Sequence, residues 1–234
     1  MAKELSQEEQ EAIAPIFKVL SAWMVFRDPP AHTVLRMLLN KLFTPVAIER
    51  YSPMVRKIVQ RTFDKAIAQG NMELVREFAY EVPMTVILEL IGTPDLDRDK
   101  IKEWSEKIGV FFFIKADEPR RREIACEGIN ALVDYLTPII AERRENPGID
   151  LISLLIAAEE AGDISYNDVL ATCVLLVFGG HETTMNLIAN GTLALMNNSE
   201  QWEKLANDPT LIKKQLKNYY DLMVRLNPQF VGQR

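Results

Sequence analysis

The stretch Phe178-Gly179-Gly180-His181-Glu182-Thr183-Thr184 decides how this chain is read. It ends the longest strongly apolar run, Leu170–Phe178, and follows it with two glycines. Inside a helix each glycine costs roughly 0.8–1 kcal/mol against alanine, so the pair costs on the order of 2 kcal/mol unless the site recovers it. Glu182 then sets a proton carrier beside the Thr183 hydroxyl. Thr183 can bond a carbonyl four residues back and bend the helix. A widened turn at this place would hold a water or a small ligand. The same residues also have plainer readings. Gly179-Gly180 can simply let another helix approach. His181 reads as a packing or surface histidine, because a ligand needs partners and the chain offers only His32 besides. Glu182 can be one end of a salt bridge, and Cys173 a small core hydrophobe.

Outward from this stretch nearly every segment has helical period. Tyr166–Asn197 is the longest candidate, about 50 Å if continuous at 1.5 Å per residue. Before it, Glu8–Phe26 is amphipathic and stops ahead of Asp28-Pro29-Pro30, where proline bars continuation. His32–Phe43 is closed by Thr44-Pro45. Val46–Ala68 carries Val59, Phe63 and Ile67 on one face and is stopped by Gly70. Glu73–Gly92 is apolar enough to be buried. Asp95–Phe112 starts at a cap on Asp95 or a neighbour, Pro119–Asn146 ends at Pro147-Gly148, and Asp150 caps Asp150–Glu160. Ser199–Asn207 and Thr210–Leu226 close the chain. No segment alternates with period two, and none repeats or has low complexity. The pattern predicts an all-α fold of about ten helices around one long central helix, with residues 1–234 as a single domain.

A second segment, Trp23-Met24-Val25-Phe26-Arg27-Asp28-Pro29-Pro30-Ala31-His32-Thr33-Val34-Leu35-Arg36, joins two helices at a Pro-Pro corner. Trp23 and Arg27 share a helix face at i, i+4, as do His32 and Arg36. Such donors could converge on carboxylates. They could equally pair with the acids of neighbouring helices.

Composition narrows the function classes. Hydrophobic residues make up 48% and charged residues 26% of 234, ordinary for a globular protein. A net charge of -6 argues against a general nucleic-acid binder. Cys126 and Cys173 have no metal-ligand spacing, so no metal site is expected, and a reducing compartment suits them better than a disulfide scaffold. No apolar signal core opens the chain, and no stretch reaches the roughly 18 uncharged residues of a membrane span. The expectation is a cytoplasmic protein.

The ordered set of motifs resembles the cytochrome P450 superfamily of haem-thiolate monooxygenases in its soluble bacterial form. Gly179-Gly180-His181-Glu182-Thr183-Thr184 is similar to that family's central-helix motif, Trp23…Arg27 to its Trp-x-x-x-Arg motif, and His32-Thr33-Val34-Leu35-Arg36 to its His-Thr-x-x-Arg motif. Phe43-Thr44-Pro45, Asp150-Leu151-Ile152-Ser153-Leu154-Leu155 and Ser199-Glu200-Gln201-Trp202 also resemble family stretches. The resemblance implies that Trp23, Arg27, His32 and Arg36 contact haem and its propionates, that Gly179 and Gly180 border the haem with Gly180 over its face, and that Glu182 and Thr183 are the acid–alcohol pair delivering protons to bound dioxygen.

It also implies what this sequence does not carry. An intact member is roughly twice this length. The N-terminal helices and most of the mixed sheet would precede residue 1, and the loop with the ligand cysteine would follow residue 234. The Glu-x-x-Arg motif is altered, with Leu222 three residues before Arg225 and Asp221 one position too far. Haem without a strong axial ligand cannot run thiolate chemistry, so haem is expected to be absent or weakly held. The leading expectation is a non-catalytic derivative that binds a small apolar ligand or a partner protein, as family members without the cysteine do beside glycosyltransferases in natural-product pathways. Apolar helix faces exposed by the shortening favour a homodimer. The alternatives are a fragment of a haem-dependent monooxygenase, for which Glu182 and Thr183 remain catalytic when haem is bound, and a purely structural helical protein.

Overall fold

The computed structural model describes residues 14, 16–93, 97–113 and 120–212. Among these residues there is no strand, and the fold is all-α, as the periodicity predicts. Residues 16–20 are helical, and a 3₁₀ turn follows at Met24–Phe26. The helices are α1 (Ala31–Leu42), α2 (Pro45–Gln69), α3 (Glu81–Ile91), α4 (Arg98–Phe113), α5 (Arg121–Glu145), α6 (Leu151–Glu160), α7 (Tyr166–Met196) and α8 (Ser199–Asn207). The cap expected at Asp95 and most of Thr210–Leu226, with Leu222 and Arg225, lie outside the described residues.

Local chemistry sets most boundaries. Thr44 caps α2 by accepting from Ala47 N at 3.1 Å, with Pro45 at the first helical position. Asp150 caps α6 by accepting from Ser153 N at 2.9 Å. Its other carboxylate oxygen accepts from Arg143 Nε at 2.7 Å, and Arg143 Nη2 donates to Gly92 O at 2.9 Å. One arginine therefore ties the ends of α3, α5 and α6.

Two expected helices are more broken than their periodicity suggests. The first does not run from Glu8 to Phe26: a turn at residues 21–23 ends it before the 3₁₀ stretch. Glu73–Gly92 is helical as expected after Glu73, but Leu74–Tyr80 winds as a π-helix before α3 begins. Glu73 starts that stretch by accepting from Val75 N and Arg76 N.

The chain contains two compact units, Met1–Thr184 and Met185–Arg234. In the first, α4 and α5 make the most extensive helix pairing. Ala125, Gly128, Ile129, Leu132, Leu136 and Ile140 form the buried stripe of α5, at the spacing of one helix face. By length and composition α5 alone among the described helices could cross a membrane; this stripe is instead part of the protein core with Ile108, Leu155 and Val174. Each isoleucine, leucine or valine among them contributes about 1.5–3 kcal/mol by leaving water. The second unit holds the end of α7, α8 and a 3₁₀ turn at Pro209–Leu211 that Asp208 caps through Thr210 N at 3.0 Å.

Candidate functional site

The glycine motif does not break its helix. α7 is α-helical through Gly179 and Gly180, and the widened turn that their composition suggested is not formed. The two glycines face different surroundings. A Cβ on Gly180 would stand 2.9 Å from Ile87 of α3, so α3 fills that side. A Cβ on Gly179 would meet nothing within 4 Å. The open face therefore belongs to Gly179, whereas Gly180 is the close-packing residue. Thr183 Oγ1 donates to Gly179 O at 2.8 Å and Thr184 Oγ1 to Gly180 O at 3.1 Å, the backward bonds that hydroxyl positions allow.

His181 is a core residue, 3% exposed. Its Nδ1–H donates to Val177 O at 2.8 Å, and the edge of Tyr80 stands against its ring. Burial lowers its pKa, so it is neutral in the folded protein at neutral pH. It is a satisfied packing histidine.

Glu182 is half-buried, and burial followed by the Glu106 carboxylate hold its carboxyl above the ordinary value. A raised carboxyl pKa gives stability that is full below the ordinary value of 4.5 and is lost as pH rises through the folded value. His181 has the opposite sense: its contribution is full above 6.5 and is lost as pH falls. Glu182→Gln should therefore raise the melting temperature at neutral pH, with the gain vanishing below about pH 4. Melts across pH check this. A gain of the same size in acid would mean that the charge of Glu182 is not the cause.

The N-terminal residues separate into three situations. Trp23 is 2% exposed, and its ring stacks on Phe178 at 5.4 Å, Phe112 at 5.7 Å and Phe26 at 6.2 Å between centroids. Its Nε1–H is buried with no hydrogen-bond partner among the described residues. Phe178 thus links Trp23 to the glycine motif. Arg27 does not share a helix face with Trp23, because the 3₁₀ turn lies between them and both flanking residues are extended. Its guanidinium approaches Asp168 Oδ1 at 2.7 Å, and its Nε donates to Ser21 O at 3.3 Å. The Asp168 contact is ionic and not aligned as a hydrogen bond. Asp168 lies 11 residues before Gly179, about 16 Å along α7. His32 is half-exposed and Arg36 exposed, one turn apart on α1. Neither has a side-chain partner among the described residues.

Sequence reasoning did not single out Asp168. The signal was present in Ser165-Tyr166-Asn167-Asp168, a capping-box pattern. Asp168 Oδ2 accepts from Ser165 N at 2.8 Å, and Ser165 Oγ accepts from Asp168 N at 3.3 Å.

The cysteines offer no thiolate. Cys173 is fully buried on α7, and burial pushes its thiol up to about 12. Burial and Glu123 raise that of Cys126. No group of three or more metal-ligating side chains occurs among the described residues. The arrangement fits a flat macrocycle on one side only. Gly179 leaves open space and the Trp23 indole lacks an acceptor, but Arg27 is committed to a carboxylate and no described residue supplies a soft anionic axial donor.

Comparison with known proteins gives a consistent result. The cytochrome P450 family profile matches residues 3–223. Cytochrome P450 CYP107DY1 of Priestia megaterium is 36% identical over 90% of this chain and 50% of its own length. The vitamin D(3) 25-hydroxylase of Pseudonocardia autotrophica is 35% identical over 91% of this chain and 51% of its own. The crystal structure of P450BioI with a hexadec-9Z-enoic acid-ligated acyl carrier protein superposes with a TM-score of 0.83 at 28% identity, covering 92% of this chain and 55% of that one. The chain spans about half the length of the curated relatives it matches.

Proposed function

This chain belongs to the cytochrome P450 family, and from that premise we propose that it is a P450-fold derivative that binds a partner protein or a small apolar ligand and does not oxygenate a substrate on its own. The observation that carries the reading is the state of Cys173. It is 0% exposed and packed in the protein core, which pushes its thiol up to about 12 and leaves no face on which a haem iron could reach the sulfur. Arg27 supports the same reading, because its charge already serves Asp168.

A second reading is that the chain is part of a haem-dependent monooxygenase whose axial ligand lies on other residues. The buried, unpartnered Trp23 Nε1–H and the open face of Gly179 favour it. In that setting Trp23, His32 and Arg36 would hold the group and Gly179 would leave room for it. Glu182, already biased toward its protonated form, and Thr183 would hold and pass protons. Thiolate-ligated haem would supply the electron push for O–O cleavage.

Titrating the purified chain with ferric haem and following the Soret region separates the two. The expected result is no saturable binding, which leaves the second reading without its haem site in this chain. Saturable binding that Arg36→Ala weakens would overturn the first reading in favour of the second.

A further inference from the structure

Among the described residues the charge that bears on Glu182 belongs to another helix. α4 buries Ile101, Ser105 and Ile108. Glu106 stands beside that stripe, one turn from Lys102, whose Nζ lies 2.8 Å from Glu106 Oε1. On an open helix surface such a pair is solvated and does little. This one is held in place. The Lys102 ammonium lies 5.2 Å from the centre of the Tyr80 ring, whose face attracts a cation. The Tyr80 hydroxyl donates to Arg98 O at 3.2 Å, and its ring meets that of His181 edge-on at 6.4 Å between centroids. Contacts therefore run from Glu106 through Lys102 and Tyr80 to His181, and Glu182 is the next residue on α7.

The two acids of this cluster are unequally placed. The Glu106 side chain is 57% exposed, whereas Glu182 is half-buried. After burial, the Glu106 charge is the second cause that holds the Glu182 carboxyl above its ordinary value. The same charge bears on His181, where that of Lys102 opposes it, and on Tyr80, which Asp99, Arg98 and Glu81 also face. Like charges close together disfavour each other's ionised form, and a counter-ion beside one of them weakens its effect on the other.

We infer that the Lys102–Glu106 pair of α4 governs the proton on Glu182, with Glu106 as a positioning residue that keeps the proton there and Lys102 as the counter-ion that tempers it. The proton exchanges between Glu182 and water, and no other reactant is needed. A ligand or partner that drew Lys102 away from Glu106, or moved α4 relative to α7, would change how readily Glu182 gives up its proton. α4 is thus a regulatory element of the glycine-motif site. The inference rests on Glu182 being the proton holder of the second reading above, but the two fail separately. The haem titration reports on a haem site, whereas the proton on Glu182 is read without haem.

The test is a pH titration of the Glu182 carboxyl carbon by NMR, its signal identified as the one missing from Glu182→Gln. Glu106→Gln should lower the proton affinity of Glu182 roughly two- to fivefold, the effect of one partly screened charge. Lys102→Met should raise it, because the Glu106 charge is then felt without its counter-ion. Glu106→Asp keeps the charge and should stay close to wild type. Opposite signs from two variants on one helix cannot come from a general loosening of α4, so a merely structural role for the pair would not produce them. The inference is overturned by a midpoint that Glu106→Gln leaves unmoved or that Lys102→Met does not raise. A fall in Glu106→Asp as large as in Glu106→Gln overturns it too.

Discussion

Gly128→Ala should lower the unfolding free energy by about 2–3 kcal/mol. Gly128 sits on the buried stripe of α5 where α4 crosses it. A Cβ there would run into the Trp104 carbonyl oxygen, stand 2.8 Å from Lys107 Cβ and lie 3.2 Å from Ile108 N. Two of these three atoms are backbone, fixed by hydrogen bonds of α4, so they cannot swing aside as a side-chain tip can. Alanine gains roughly 1 kcal/mol in helix propensity, which the forced separation of α4 and α5 exceeds. The reading is the urea midpoint at unchanged slope. Gly179→Ala is the matched control on α7: a Cβ there meets nothing within 4 Å, so only the propensity gain of roughly 0.8–1 kcal/mol should appear. If Gly128→Ala is neutral or stabilising, α4 and α5 do not approach as closely as described.

Arg27→Ala should cost about 2–3 kcal/mol. The Asp168 side chain is 9% exposed and that of Arg27 24% exposed. Asp168 is partly served without Arg27, since Oδ2 accepts from Ser165 N and from Ser165 Oγ at 2.7 Å. Among the described residues Oδ1 has only the guanidinium. Removing Arg27 leaves a carboxylate in a buried place with one oxygen uncompensated, and the Ser21 carbonyl loses its donor as well. The double variant Arg27→Ala/Asp168→Asn should regain part of the loss, a coupling of about 1–2 kcal/mol in a double-mutant cycle. Were Arg27 instead a spare cation held for an anionic ligand, the single variant would stay within about 0.5 kcal/mol of wild type.

The contrast between these sites shows which features are legible in a sequence. Asp150 was read as a cap because a cap is a contact over three residues, and the end of α2 at Gly70 was equally local; Thr44 was read only as the close of the helix before it, and the structure makes it the cap of α2. The backward bond of Thr183 spans four residues and was equally readable. Trp23 and Arg27 were misread as one helix face because nothing local separates a continued helix from the turn at residues 21–23. What ends that helix is the packing of Trp23 under Phe178 and Phe112 and the pull of Asp168 on Arg27. Those partners are 89 to 155 residues away in the chain.

By itself the sequence determined an all-α fold, most helix boundaries, and the ordered motifs that place the chain in the cytochrome P450 family. Each of these depends on residues within a few turns of one another. Tertiary structure alone decided that Gly180 is filled by Ile87 while Gly179 stays open, that Arg27 is committed to Asp168, and that Cys173 is a buried thiol. The physical reason is that a glycine's cost, an arginine's charge and a cysteine's proton are governed by what lies across space from them, and local spacing carries no record of that.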